Sequence, residues 1–160
     1  MATAFSTSTP STTYDVRAAA GVNDALLAFG RVIIAIIFIA SGLEKFTGFA
    51  ATTAEIASKN LPMPHILAIA TAALELGGGI LIVIGWQTRV FALTLTVFTA
   101  LTIYFFHDFW HYPLGAEHTN NVIHFMKNVS IIGGFLMLAA AGAGRFSLDG
   151  PCIRPEYRKR

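Results

Sequence analysis

Four apolar stretches, at about residues 24–46, 64–86, 88–110 and 118–142, each supply the roughly 20 residues a helix needs to cross a bilayer. Their length rules out a small soluble fold more firmly than any motif could. A strand alone in lipid leaves its backbone groups unpaired, whereas a helix satisfies them within the segment. A transmembrane barrel needs alternating segments of about ten residues, and these runs do not alternate. Only 12% of residues are charged, against about a quarter in an ordinary soluble domain, too few to cover a water-facing surface. The fold expected is therefore an all-α, integral-membrane four-helix transmembrane bundle embedded in the lipid bilayer. The formal net charge of +2, with no basic stripe interleaved with aromatics, gives no sign of a nucleic-acid partner.

Two charges break the apolar runs. Glu75 lies near the middle of the second span and Lys127 within the fourth. A charge at the bilayer centre costs roughly 2.5 to 3.5 kcal/mol on insertion scales, so such residues face a bundle interior, pair, or serve a function. At 1.5 Å per helical residue, Glu75 sits roughly 16 Å in from residue 64 and Lys127 roughly 14 Å in from residue 118. Their common depth predicts a buried Glu75–Lys127 ion pair. Such a pair serves either to fix helix register or as a polar catalytic centre. Gly77 to Gly79 and Gly133-Gly134 give both helices small faces on which neighbours can pack closely and keep the site dry.

Titratable residues collect at one end of the predicted bundle. Glu44 closes the first span, His107, Asp108 and His111 close the third, and Glu117 and His118 open the fourth. His107 and His111, at i and i+4, would share a helix face and could supply two ligands to zinc, iron or haem. They stand among Phe105, Phe106, Phe109, Trp110 and Tyr112, and aromatic residues also gather at headgroup depth for purely interfacial reasons. His124, Lys127 and Asn128 form one face of the fourth span. The chain has no HExxH, no CxxC and no Glu-x-x-His pair, and Cys152 is its single cysteine, so a metal or haem centre ranks behind the interfacial reading of these histidines.

Arg145, Arg154, Arg158, Lys159 and Arg160 cluster in the C-terminal tail, and the positive-inside rule assigns them to the cytoplasm. An even number of spans then places both termini there. Residues 1–22, Ser/Thr-rich and without a basic residue before Arg17, are expected to form a disordered cytoplasmic tail. Residues 23–144 form the membrane domain and 145–160 a basic tail. The loop at 47–63 is the longest between spans. Its centre, residues 49–58, mixes helix formers with Phe49 and Ile56, which predicts a short helix on the outer surface.

Gly30-Arg31, Ser41-Gly42-Leu43-Glu44-Lys45-Phe46, Leu61-Pro62-Met63-Pro64, Glu75-Leu76-Gly77-Gly78, Gly85 with Thr88-Arg89, Lys127-Asn128 with Gly133-Gly134, and Gly144-Arg145-Phe146-Ser147-Leu148-Asp149 together resemble the DoxX family of small four-helix bacterial membrane proteins. The resemblance runs from about Phe29 to Asp149. It implies an inner-membrane protein linked to quinone oxidoreductases, either a redox protein or an accessory subunit acting with an oxidoreductase partner or as a homo-oligomer. Under that reading Glu75 and Lys127 are the candidate catalytic groups. His107, His111, His124, Glu44, Arg31 and Asn128 are then the candidate cofactor-binding groups, and a quinone is the implied cofactor. The competing reading is a non-enzymatic scaffold or a small-solute transport bundle.

Overall fold

A computed structural model describes residues 13–150. Five α-helices follow in order: α1 Thr13–Thr47, α2 Phe49–Ser58, α3 Pro64–Ile84, α4 Thr88–Phe106 and α5 Ala116–Ala141, with a 3-10 turn Phe109–His111 before α5. No strand occurs among the described residues. The apolar parts of α1, α3, α4 and α5 are long enough to cross a membrane, and they form the four-helix transmembrane bundle the sequence predicts. Large apolar side chains such as Ile33, Ile36, Ile69, Val90 and Val97 lie exposed around its girdle, where lipid is their solvent.

Around the bundle the order is α1, α3, α4, α5. Helix α1 packs chiefly on α3 and α4 chiefly on α5, with lighter contacts between α3 and α4 and between α1 and α5; the diagonal pairs do not meet. Small residues set these crossings. A Cβ on Gly42 would stand 2.5 Å from the backbone nitrogen of Leu76, and one on Gly79 would stand 2.8 Å from Ile39, so α1 and α3 approach backbone to backbone. Ala35, Phe38, Ile82, Ala92, Leu95, Phe135 and Leu138 form the core, in which the Phe38 and Phe135 rings lie 5.3 Å apart.

The chain departs from the sequence expectation at three places. Helix α1 begins at Thr13, so residues 13–22 are helical rather than part of a tail. Arg17 and Ala18 to Ala20 are strong helix formers and extend the span past the apolar region. The rest of the expected N-terminal tail, residues 1–12, and the tail residues after Gly150, with Cys152 and Arg154 to Arg160, lie outside the described residues. Helix α3 stops at Ile84 because Gly85, at φ 69°, closes a Schellman cap in which Gly85 N–H donates to Ile82 O and Trp86 N–H to Leu81 O. Helix α4 stops at Phe106, before the predicted 110, since the chain must turn ahead of Pro113 and Gly115 to begin α5.

At the end of the bundle nearest the termini, the described start of the basic tail folds back as a strap. Leu148 N–H donates to Ile84 O and Asp149 N–H to Gly85 O. The Asp149 carboxylate accepts from Gln87 N–H at 2.7 Å and Thr88 N–H at 2.9 Å, which caps the start of α4 from 61 residues away. Partial burial opposes the Asp149 charge, but the hydrogen bonds from Thr88 and Gln87 outweigh it and hold the carboxyl below its ordinary pKa. A folded pKa below the unfolded one contributes stability above the ordinary carboxylate value, about 3.9, and loses it as pH falls through the folded value. Asp149→Ala is therefore expected to cost about 1 kcal/mol at pH 7, as lost caps do. Paired thermal melts at neutral pH and near pH 3 check this, and the gap between wild type and variant should narrow in acid.

Candidate functional site

At the opposite end, where α2 lies, the four spanning helices part around a cavity of about 490 Å³. That volume falls within the roughly 300–1,000 Å³ of small-molecule sites. Phe98, Phe105 and Phe106 of α4 and Phe38 of α1 supply aromatic wall. Leu101 and Ile37 also line it while remaining 52% and 37% exposed, so the wall opens toward the lipid-facing surface.

The polar centre is an ion pair. Lys45 Nζ donates to Glu75 Oε2 at 2.8 Å and to Ser41 Oγ at 2.6 Å. Its geometry follows from the tight α1–α3 crossing: with Gly42 against Leu76, the last turn of α1 falls alongside Glu75 one residue earlier on α3. The Glu75 side chain keeps 6% of its accessible surface and that of Lys45 28%, so the carboxylate is the more deeply desolvated partner. A charge so buried persists only when paired and hydrogen-bonded.

The predicted Glu75–Lys127 pair is thus corrected. Both residues line one cavity, but α3 and α5 are diagonal neighbours and Lys45 reaches Glu75 across the adjacent interface. Lys127 lines the same cavity, is exposed, and donates to His124 Nδ1 at 3.1 Å. The dry packing expected around it is absent, because Gly133 faces open space and only Gly134 meets a neighbour, Ile34. Asn128, one residue on, is 6% exposed and lines the cavity.

The histidines divide. His107 lines the cavity and its ring stacks on that of His124 at 4.8 Å and 11°. His111 does not share a helix face with His107, because α4 ends before either residue; its Nδ1 instead lies 2.9 Å from Asp108 Oδ2, at the surface. Among the described residues no group of three or more His, Cys, Asp or Glu side chains is placed to hold a metal ion.

Glu44 is exposed and does not line the cavity. Arg31 is at the other end of the bundle, 2% exposed, donating to Ile82 O at 3.4 Å, to Val83 O at 3.3 Å and to Phe146 O. It clamps the end of α3 to the C-terminal strap, with the Asp149 carboxylate as its counter-charge and its Nε left without a partner.

Sequence reasoning missed Lys45 and Ser41, together with three threonines of the cavity wall. Thr71, Thr99 and Thr102 each donate their hydroxyl proton to a carbonyl of their own helix. Their oxygen lone pairs are left to accept from whatever fills the cavity. The signal was there in the spacing: Thr71 and Glu75, like Ser41 and Lys45, are i, i+4 pairs that share a helix face.

The arrangement can offer a polar head an ammonium and a carboxylate side by side, pack a planar group on phenylalanine rings and let an apolar tail reach the bilayer. It defines a small polytopic membrane protein with a polar cavity among its spanning helices. Comparison with known sequences gives the family. The DoxX family model matches residues 26–108, and the chain belongs to that family. It is 40% identical over 124 residues to the inner membrane protein YphA of Escherichia coli (strain K12), covering 78% of this chain and 88% of that one. Identity to the inner membrane protein YqjF of the same organism is 38% over 122 residues, covering 74% and 85%. A shorter match, 44% over 69 residues, covers 41% of this chain and half of the Bacillus subtilis (strain 168) protein named "Putative oxidoreductase CatD". No solved structure matches the chain.

Proposed function

We propose that this DoxX-family protein is an inner-membrane, quinone-linked redox protein or accessory subunit whose cavity takes the quinone head group. The observation that carries the reading is the Lys45–Glu75 ion pair set in the wall of an aromatic-lined cavity that opens toward lipid. The residues present suit such a group. Lys45, Lys127 and Asn128 can donate to carbonyl oxygens, the phenylalanines can stack on the ring, and Leu101 and Ile37 leave a path for an isoprenoid tail. Bound there, a quinone supplies two-electron, two-proton chemistry.

This chain's own part is to position the head group and to exchange protons. Glu75, held in place by Lys45, is the carboxylate that can accept a proton from a group in the cavity; His107 and Lys127 line the same cavity. The sequence carries no dinucleotide fingerprint and no cluster cysteines, so electron transfer would draw on a quinone, a haem or a partner subunit. The names of the two E. coli relatives support the inner membrane as location, and that of CatD supports an oxidoreductase setting. With the basic tail in the cytoplasm, both termini lie there and the cavity faces the outer half of the bilayer.

The test is calorimetric titration of the detergent-purified protein with a short-chain ubiquinone analogue. Saturable binding is expected, weakened about tenfold, or 1.4 kcal/mol, in a folded Glu75→Gln variant. Failure to bind the analogue would sink the quinone reading and leave the scaffold or transport bundle.

A further inference from the structure

We infer that α2 is a hinged lid over the cavity, latched at its free end by the ion pair Lys59–Asp108. The inference concerns access to the cavity and stands whichever ligand fills it.

Helix α2 roofs the cavity with Thr52, Glu55 and Ile56, and Leu61 continues the roof beyond its end. It packs on α3 and α1 but on neither α4 nor α5, although the cavity it covers is walled by all four. Only Thr53 and Ile56 of its ten residues are buried. Its N-terminus has no side-chain cap and Gly48 alone separates it from α1, while at its C-terminus Lys59 N–H and Asn60 N–H close onto Ile56 O and Ala57 O. Beyond it, Asn60 at φ 55° and Met63 at φ 50° hold the left-handed conformation that side chains avoid, so the connection to α3 sits in a strained form. A short helix with few buried residues, no side-chain N-cap and a strained link to α3 has the features of a segment that opens locally, well before the bundle does.

On its far side the polar tie is Lys59 Nζ to Asp108 Oδ1 at 3.3 Å, reaching from the end of α2 across the mouth to the α4–α5 connection. The Lys59 and Asp108 side chains are 25% and 18% exposed. The second oxygen of Asp108 is engaged by His111 at 2.9 Å, which fixes the carboxylate toward the lid. A pair at this exposure is weak and is screened by salt, as a latch that must release requires. Opening would bare Thr71 and Glu75 to the aqueous side, giving the cavity a polar route besides its opening toward lipid.

The experiment uses the full chain in lipid nanodiscs, with Cys152→Ser as background and Thr71→Cys as reporter, labelled with a charged, membrane-impermeant maleimide. Lys59→Met is expected to raise the labelling rate about fivefold, the effect of removing a surface ion pair from an opening equilibrium. About 1 M salt should raise the rate in the parent but not in Lys59→Met. Lys59→Arg should keep the slow rate, and the swap Lys59→Asp with Asp108→Lys should restore it. Each variant is first shown to keep the parent's helical circular dichroism. Equal rates in parent and Lys59→Met, or a fast rate in Lys59→Arg, would overturn the latch.

Discussion

Lys45→Met is expected to destabilise the protein by about 3 kcal/mol, whereas Lys127→Met should change its stability by less than about 0.5 kcal/mol. Removing Lys45 strands a carboxylate whose side chain keeps only 6% of its surface, with no other cation bonded to it. Breaking a buried pair from one side costs roughly 3–5 kcal/mol, and the 28% exposure of Lys45 argues for the low end. Lys127 is exposed and bonded only to His124, so its loss strands nothing buried. The double variant Lys45→Met with Glu75→Leu should recover most of the loss, because replacing both partners by apolar groups of similar size is often neutral. Thermal unfolding in one detergent, run as a double-mutant cycle, reads the coupling directly. A larger loss in Lys127→Met than in Lys45→Met would contradict the pairing. The double variant also separates stability from function: if it folds as well as the parent yet fails to bind the ubiquinone analogue, the ion pair belongs to a site and not merely to the scaffold.

That comparison also marks where sequence reasoning stops. The four spans, the short helix between the first two and the turn at Gly85 were legible because each rests on a local property: apolar length, helix propensity with flanking prolines, or a glycine placed to end a helix. Neighbourhood was not. Glu75 and Lys127 share a predicted depth on helices that turn out diagonal, and nothing local to either residue says which helices adjoin. The clue lay in the glycines. Gly42 one turn before Phe46 and Gly79 one turn after Glu75 are the positions at which α1 and α3 touch, but Gly77 and Gly133, equally prominent in the sequence, face open space. The histidine pair failed for a different reason. An i, i+4 argument needs a helix that continues, and α4 has already ended when His107 is reached. Arg31 stood among the candidate cofactor-binding groups only through the family resemblance. Its acceptors are instead backbone carbonyls at the end of α3 and in the strap, a use visible only once residues 144–149 are seen to fold back.

If the α1–α3 crossing is what delivers Lys45 to Glu75, then one methyl group in that crossing should cost as much as losing the ion pair. Gly42→Ala is expected to destabilise by about 3 kcal/mol, the upper end of overpacking costs. Its Cβ would lie 2.5 Å from the backbone nitrogen of Leu76 and 2.9 Å from that residue's Cα, and a backbone cannot yield as a side-chain tip can. The helices must separate, which also draws Ser41 and Lys45 away from the carboxylate. In a helix interior the same exchange otherwise gains about 1 kcal/mol of propensity, so the control is built into the chain. Gly77→Ala and Gly133→Ala, whose new methyl groups meet nothing within 4 Å, should be neutral or stabilising. Gly134→Ala meets only the flexible end of Ile34, and should fall between. The ranking Gly42, then Gly134, then Gly77 and Gly133 in loss of thermal stability is the expected result. Calorimetric titration of the Gly42→Ala protein with the ubiquinone analogue, run below its unfolding temperature, adds the second reading. Weakened binding in protein that is still folded would show that close packing of two apolar helices places the polar group between them. Unchanged binding would mean that Lys45 and Glu75 find each other without the glycine contact.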